Sequence, residues 1–244
     1  MDQRAVGRSS ASLLARRPEI VPVAATVLAW AALIADSPAV GWSPTGSSIA
    51  GHGAHGGVFT APGMAMVAVM TVAMMGPLAV PGARTVARRL PSRCGAALLR
   101  HFAAFVVTWT VIALCLATVA ETLAGLLGSA VVAAGVLTLM CAAVQFDPRR
   151  GSALRACDRP SQRADPSGPV VESARFGMSC AASGFRLCAL PMLAMLALPG
   201  SLSFMAVLTI LVVVDRMTEG RHRWVIAPLH AAFGIALLAL GLLS

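Results

Sequence analysis

The chain has 244 residues, of which 57% are hydrophobic and 12% are charged. Because a soluble globular domain carries about 25% charged residues, this composition excludes a water-soluble fold, a disordered chain and a disulfide-stapled secreted module. It predicts an all-α fold, a polytopic bundle of transmembrane helices in a lipid bilayer. The formal net charge is +9 and all 19 basic residues are arginine. They lie in short clusters between apolar runs, so they indicate orientation in the membrane and no nucleic-acid binding.

Uncharged runs predict about seven membrane spans, preceded by an arginine-rich cytoplasmic tail at residues 1–19. All of residues 20–244 are assigned to the transmembrane helical domain. Glu121 marks the expected turn between the third and fourth spans, and Pro199-Gly200-Ser201 marks the turn between the fifth and sixth. In chain order the predicted spans are 20–36, 61–82, 101–120, 122–145, 176–198, 201–216 and 224–243.

The arginines predict how these spans are oriented. All but one of them lie in the N-terminal tail or on alternate loops, and the remaining loops carry none. By the positive-inside rule, the N-terminus is cytoplasmic and the C-terminus external, in the bacterial cytoplasmic (inner) membrane. One alternative stays open for the first span. The basic tail, the apolar run and Ser37-Pro38-Ala39 also fit a cleaved signal peptide, which would leave six spans in the same orientation.

Soft metal donors are concentrated in and just before the second span. Met70 and Met74 are one helical turn apart and share a face, and Met75 follows directly. Thioethers suit Cu(I), although a methionine stripe is also what ordinary packing produces. His52 and His55 lie in a glycine-rich segment outside the span. Two imidazoles there could capture a divalent metal such as Cu(II); the alternative is a polar external loop.

One charge lies deep in an apolar run. A charge at the depth of Arg186 is costly in a membrane, so it is expected to face a cavity or a partner. Asp215, near the cytoplasmic end of the next span, is the expected partner. A pore residue and a structural ion pair remain equal alternatives for Arg186. Cys141 and Cys188 are interpreted as small apolar packing residues.

Three motifs resemble those of an uncharacterised bacterial family, a domain of unknown function described as predicted metal-binding integral membrane proteins. Residues 73–84 are similar to its AMM-x-P…P…R pattern. Residues 145–160, which begin at Gln145 and include Cys157, resemble Q-x-(T/S)-P-L-K-x-x-C-L-x-x-C-R-x-P. Residues 177–185 look like the start of G-x-x-C-x-G-C-C-W. With an acidic-basic pair after the next span, the resemblance covers roughly residues 60 to 217.

The resemblance implies a metal site of soft donors, for copper or zinc. The first loop cysteine of the family is Ala153 here, and its vicinal cysteine pair is Ser183-Gly184. Because a tight thiolate site usually needs three or four donors, the site of this chain is expected to be weakened or altered, with methionines as softer ligands. The candidate metal ligands are Cys157, Cys180, Met70, Met74, Met75, His52 and His55, and Arg186, Gln145 and Asp215 are further candidate functional residues.

The sequence therefore predicts a non-enzymatic membrane protein that binds or handles a soft transition metal such as copper. One alternative is a metal-free transporter or permease subunit in which Arg186 lines an anion-attracting cavity. Another is a structural partner that packs against a neighbouring membrane protein or a second copy of itself. An intramembrane serine enzyme is disfavoured because no base can be paired with Ser183. His222 and His230 are placed at or beyond the cytoplasmic edge of the last span, and His101 is placed at the edge of another.

Overall fold

The computed structural model describes residues 16–36, 60–90, 94–150, 169–198, 201–218 and 220–243. Within these ranges the regular secondary structure is entirely helical, which confirms the all-α prediction. A short 3-10 turn joins α2 to α3, so the described residues form seven helical segments. The helices are α1 (Ile20–Asp36), α2 (Ala61–Met75), the 3-10 turn (Gly76–Ala79), α3 (Val80–Arg89), α4 (Cys94–Leu127), α5 (Ala130–Val144), α6 (Pro169–Ala197), α7 (Leu202–Met217) and α8 (Arg223–Leu243).

Four of the segments are long and apolar enough to cross a membrane, so the chain is a membrane protein. They are Gly63–Arg89, Cys94–Leu127, Val171–Ala197 and Arg223–Leu243. In the α4 window only 22% of the residues are buried inside the bundle, so most of this apolar surface faces outward, as a lipid-facing helix requires. Ile20–Ala35 and Ala130–Val144 are shorter apolar helices. Seven complete crossings, and the orientation of the chain, stay predictions.

Several helices begin where the sequence provides a capping side chain. The hydroxyls of Thr60, Ser129 and Ser201 each accept a hydrogen bond from the backbone N–H three residues later, at the starts of α2, α5 and α7. Such caps satisfy one of the N–H groups that a helix start leaves unpaired. Pro77 lacks an N–H group and lies in the 3-10 turn. It therefore interrupts the α-helical hydrogen bonds between α2 and α3, while the helical path of the chain continues through the turn.

The turn predicted at Glu121 is wrong, because α4 continues through this residue to Leu127. Glu121 is exposed on the helix surface, and one solvated carboxylate does not interrupt a helix. The chain turns instead at Gly128, whose φ of 69° lies in the left-handed region that glycine adopts without strain. As a result α5 begins only at Ala130 and is shorter than the predicted span 122–145.

Helix α6 packs against both α4 and α5, and α5 packs in turn against α8. The contact between α6 and α4 depends on Gly177. A Cβ atom at this position would lie 2.3 Å from the backbone oxygen of His101, so only glycine allows the two helices to approach this closely. The close approach brings His101 on α4 near the α6 side chains that form the candidate site.

Candidate functional site

The predicted methionine ligands lie in the hydrophobic core. Met70, Met74 and Met75 are at most 2% exposed and belong to the main core cluster. Met64 and Met66, nearer the start of α2, are exposed. Burial suits an apolar packing residue and equally a shielded thioether ligand. A ligand role for the three buried methionines therefore stays a prediction.

Cys180 lies where α6 meets α3 and α4, beside Gly82 and His101. A Cβ atom on Gly82 would be 2.6 Å from His101 Nε2 and 3.6 Å from Cys180 Sγ. The imidazole nitrogen of His101 and the thiol of Cys180 thus both lie close to Gly82. The three residues belong to three different helices, α4, α6 and α3. We call the arrangement of Gly82, His101 and Cys180 the Gly82 site.

The imidazole of His101 is held in place within the bundle. The side chain is completely buried and its ring stacks on Phe176, with 5.2 Å between the ring centroids and 27° between the planes. The backbone of Ser173 approaches the ring without completing a regular hydrogen bond, and neither ring nitrogen has a hydrogen-bond partner among the described residues. A buried, unpaired polar group is costly, so a ligand bound to His101 Nε2 would stabilise the folded protein.

A cavity of about 30 Å³ adjoins the Gly82 site, and its wall is mostly apolar but includes Arg216. Gly82 and Cys180 line it together with Phe105 and Trp109. Cys180 is half-buried, so its sulfur is shielded but not sealed off. A volume of this size holds one or two water molecules or a single ion.

A second cavity of about 30 Å³ lies between α5, α6, α7 and α8. We call it the Cys141 cavity. It brings together three predicted functional residues, Gln145, Arg186 and Asp215. The remaining polar or sulfur-bearing side chains in its wall are Cys141, Arg150, Cys188, Arg216 and His230.

The sequence suggested that Asp215 pairs with Arg186, but the structure shows a different partner for Asp215. Its carboxylate forms an ion pair and hydrogen bond with Arg150, which follows α5. Both side chains are at most 10% exposed. Within the described ranges no carboxylate lies at ion-pair distance from Arg186, which lines the cavity from the exposed side of α6. Arg150 lies after α5 and outside the apolar runs, where the sequence offers no sign that it would meet Asp215.

His230 was expected at the edge of the last span. The structure places it about two turns inside α8, which begins at Arg223. The side chain is 1% exposed and lines the Cys141 cavity. The ring Nδ1 lies 2.9 Å from the backbone oxygen of Ile226, while Nε2 has no partner among the described residues. Gln145 Oε1 and Asp215 Oδ1 are also buried without a partner there. The cavity therefore contains several unsatisfied polar atoms.

Three predicted ligands, His52, His55 and Cys157, lie outside the described residues. Across the part of the chain that the structure describes, no group of three His, Cys, Asp or Glu side chains is close enough to hold a metal ion. The walls of both cavities thus carry soft or borderline donors, but the described residues form no closed site of four ligands, the type typical of structural zinc.

No functional role was assigned from the sequence to four residues that the structure places beside Gly82 or in the wall of the Cys141 cavity, namely His101, His230, Cys141 and Cys188. Each is a single residue in an apolar run, where it has no motif around it. One available signal was that an ionisable residue within a membrane helix usually marks a functional position. The partners come from other helices, so only the packing reveals which side chains meet.

Comparison with known proteins identifies the family. Neither curated proteins nor solved structures gave a significant match. The family model described as PpoB2, copper chaperone, matches residues 64–244, which is most of the chain and includes both cavities. The expectation of a metal-handling membrane protein is confirmed in this form, with copper as the metal. The chain belongs to the PpoB2 copper chaperone family.

Proposed function

We propose that the protein binds Cu(I) as cargo inside the helical bundle, between Cys180 Sγ and His101 Nε2. The observation that supports this most strongly is their approach to the same face of Gly82. A glycine at this position leaves the space between the two donors free of a side chain. Family membership supplies the metal, and the geometry of the Gly82 site supplies two donors for it.

The donor types suit Cu(I). Thiolates select Cu(I) among the biological metals and imidazole also suits copper. A filled-shell Cu(I) ion is stable with only two ligands in a nearly linear arrangement, so the site needs no third protein donor. Binding releases the thiol proton of Cys180. One thiolate, one neutral imidazole and Cu(I) then form a complex with no net charge, which an apolar surrounding with Phe105 and Trp109 tolerates.

Low coordination also suits a chaperone, which must release its ion. With two ligands bound, Cu(I) has room for an incoming thiolate, so the ion can transfer by ligand exchange without ever being free. We propose Cys157, in the segment of the chain between α5 and α6, as the thiol that receives the ion. Met70, Met74 and Met75 are proposed as weaker thioether donors, and His52 and His55 as an external capture point.

The predicted orientation places the Gly82 site in the cytoplasmic half of the bundle. Gly82 lies near the end of α2–α3, and His101 lies near the start of α4. Arg84, Arg88 and Arg89 follow Gly82 directly, as the positive-inside rule expects at a cytoplasmic end. We therefore propose that the bacterial inner membrane holds the protein with its N-terminus inside and that copper exchange occurs on the cytoplasmic side.

The test is an anaerobic Cu(I) titration of the detergent-purified protein against a chromogenic Cu(I) chelator. We expect Cys180→Ser to lose one equivalent of tightly bound Cu(I). Cys115→Ser is the matched control, because Cys115 is an exposed cysteine on α4 outside the Gly82 site; we expect it to bind like the wild type. Equal binding by Cys180→Ser and the wild type would exclude the Gly82 site.

A further inference from the structure

We infer that the Cys141 cavity binds a small monovalent oxyanion that carries an O–H group, the chemistry of hydrogencarbonate. The cavity lies between α5, α6, α7 and α8, and none of the three residues of the Gly82 site lines it. The inference therefore does not depend on copper binding and can be tested in the absence of copper.

The wall of the Cys141 cavity carries more positive than negative charge. Arg150, Arg186 and Arg216 line it, whereas Asp215 is the single acidic residue that the described part of the chain contributes to it. The carboxylate of Asp215 is used by Arg150, and no carboxylate of the described residues lies at ion-pair distance from Arg186. A charge within an apolar helix requires a counter-charge or water. One monovalent anion in the cavity would supply that counter-charge.

The buried polar atoms of the cavity residues that lack a partner include both donors and acceptors. Nε of Arg150 is a donor, whereas Oε1 of Gln145 and Oδ1 of Asp215 are acceptors; none of them has a hydrogen-bond partner among the described residues.

Nε2 of His230 is a further acceptor. The backbone oxygen of Ile226, 2.9 Å from Nδ1, can only accept a hydrogen bond, so Nδ1 of the neutral ring carries the proton. The lone pair therefore remains on Nε2, which is buried and equally unpaired. Because the side chains of Gln145 and His230 are only 5% and 1% exposed, a ligand that pairs with these atoms would remove a cost to the folded protein.

This combination of charge and hydrogen-bonding groups restricts the ligand. A halide ion only accepts hydrogen bonds, so it would leave the acceptors unpaired. An ammonium ion only donates them and would add positive charge to the wall. The phosphodiester of a lipid headgroup has no O–H group to donate. A volume of about 30 Å³ limits the ligand to one small ion.

Hydrogencarbonate meets these requirements. Guanidinium groups bind carboxylate-type oxygens with strong, charge-assisted hydrogen bonds, which Arg150 and Arg186 can donate. The O–H group of the ion can donate to His230 Nε2. The ion would then link α6 to α8 and to the residue that follows α5, so its binding should stabilise the packing of these helices.

The test is the melting temperature of the detergent-purified protein, titrated with hydrogencarbonate at constant pH and ionic strength. A ligand that binds the folded state alone raises the melting temperature. We expect a saturable rise with hydrogencarbonate. Formate, which has the same oxygens without an O–H group, and chloride should give much smaller rises.

Arg186→Gln should weaken the apparent affinity for hydrogencarbonate at least about tenfold, because it removes charge-assisted hydrogen bonds. Arg88→Gln is the matched control, since Arg88 is an exposed arginine on α3 that lines neither cavity; we expect it to respond like the wild type. His230→Phe keeps a ring of similar size and removes Nε2, so it should lose the preference for hydrogencarbonate over formate.

Three results would overturn the inference. The first is no rise with hydrogencarbonate, and the second is an equal rise with all three anions, which would indicate a general salt effect. The third is wild-type affinity in folded Arg186→Gln; if that variant does not fold, an unchanged preference in His230→Phe decides in its place. None of these results would bear on the Gly82 site, which the Cu(I) titration of Cys180→Ser tests separately.

Discussion

Replacing Gly82 with alanine perturbs the proposed copper site without removing a donor. The new methyl carbon would lie 2.6 Å from His101 Nε2 and 2.8 Å from His101 Cε1. Ordinary contacts begin at 3.4 Å, so the ring edge would have to retreat by most of an ångström. The ring is stacked on Phe176 and fully buried, which leaves it little freedom to do so. The methyl group would therefore contact both proposed ligands, His101 and Cys180.

The expected effects on stability and on binding differ in size. Alanine in a helix gains about 1 kcal/mol over glycine, while overpacking a core costs about 1–3 kcal/mol. We therefore expect the net loss of folding stability for Gly82→Ala to be small, about 0–2 kcal/mol. Disturbing groups behind a metal ligand already lowers affinity about 10–100-fold, so displacing the ligand itself should cost at least that factor.

The assay is Cu(I) competition titration, with the melting temperature in detergent recorded on the same samples. We expect a large loss of Cu(I) affinity and a melting temperature close to that of the wild type. A folded Gly82→Ala protein that retains wild-type Cu(I) affinity would refute the reasoning. Because both donors remain present, loss of binding in this variant cannot be attributed to a missing ligand.

Three further variants test the packing, the ion pair and the loop cysteine. Gly177→Ala should separate α6 from α4 and lower stability by about 1–3 kcal/mol, seen as a lower melting temperature, because its Cβ would lie 2.3 Å from a backbone oxygen of α4; an unchanged melting temperature would contradict the close contact. Asp215→Asn should cost about 3–5 kcal/mol, since it leaves Arg150 buried and unpaired; a denaturant midpoint equal to that of the wild type would show that the pair is not needed. Cys157→Ser should slow Cu(I) delivery to a soluble thiol acceptor while leaving the bound stoichiometry unchanged, measured by stopped-flow transfer; identical transfer rates would remove Cys157 from the route.

The helical architecture follows from the sequence because apolar runs of membrane length have few alternative structures. The helical segments lie where the uncharged runs are, although α3 ends later and α4 and α6 begin earlier than the predicted spans. The break before α5 also differs, because a charge at Glu121 was taken for a turn although a left-handed glycine at Gly128 makes it. A charged side chain such as Glu121 indicates that its position is exposed, whereas the backbone conformation of a residue such as Gly128 determines where the helix ends.

The site was less accessible from the sequence. Cys180 was found because it lies in a motif, but His101 and His230 have no local pattern, and their meaning depends on which helices face them. Arg186 and Asp215 were both recognised and do line one cavity. The predicted pairing between them is wrong because Asp215 pairs with Arg150, which follows α5. Local periodicity predicts which residues are buried, while the choice of partner is a property of the packed bundle.

The copper K-edge X-ray absorption spectrum of the protein, loaded anaerobically with Cu(I) and passed over a gel-filtration column, tests the central claim most directly. We predict stoichiometric Cu(I) after the column, with both sulfur and imidazole nitrogen in its first coordination shell. Loss of the metal on the column, or a first shell without sulfur, would contradict the account that this membrane bundle carries copper on buried thiolate and histidine ligands.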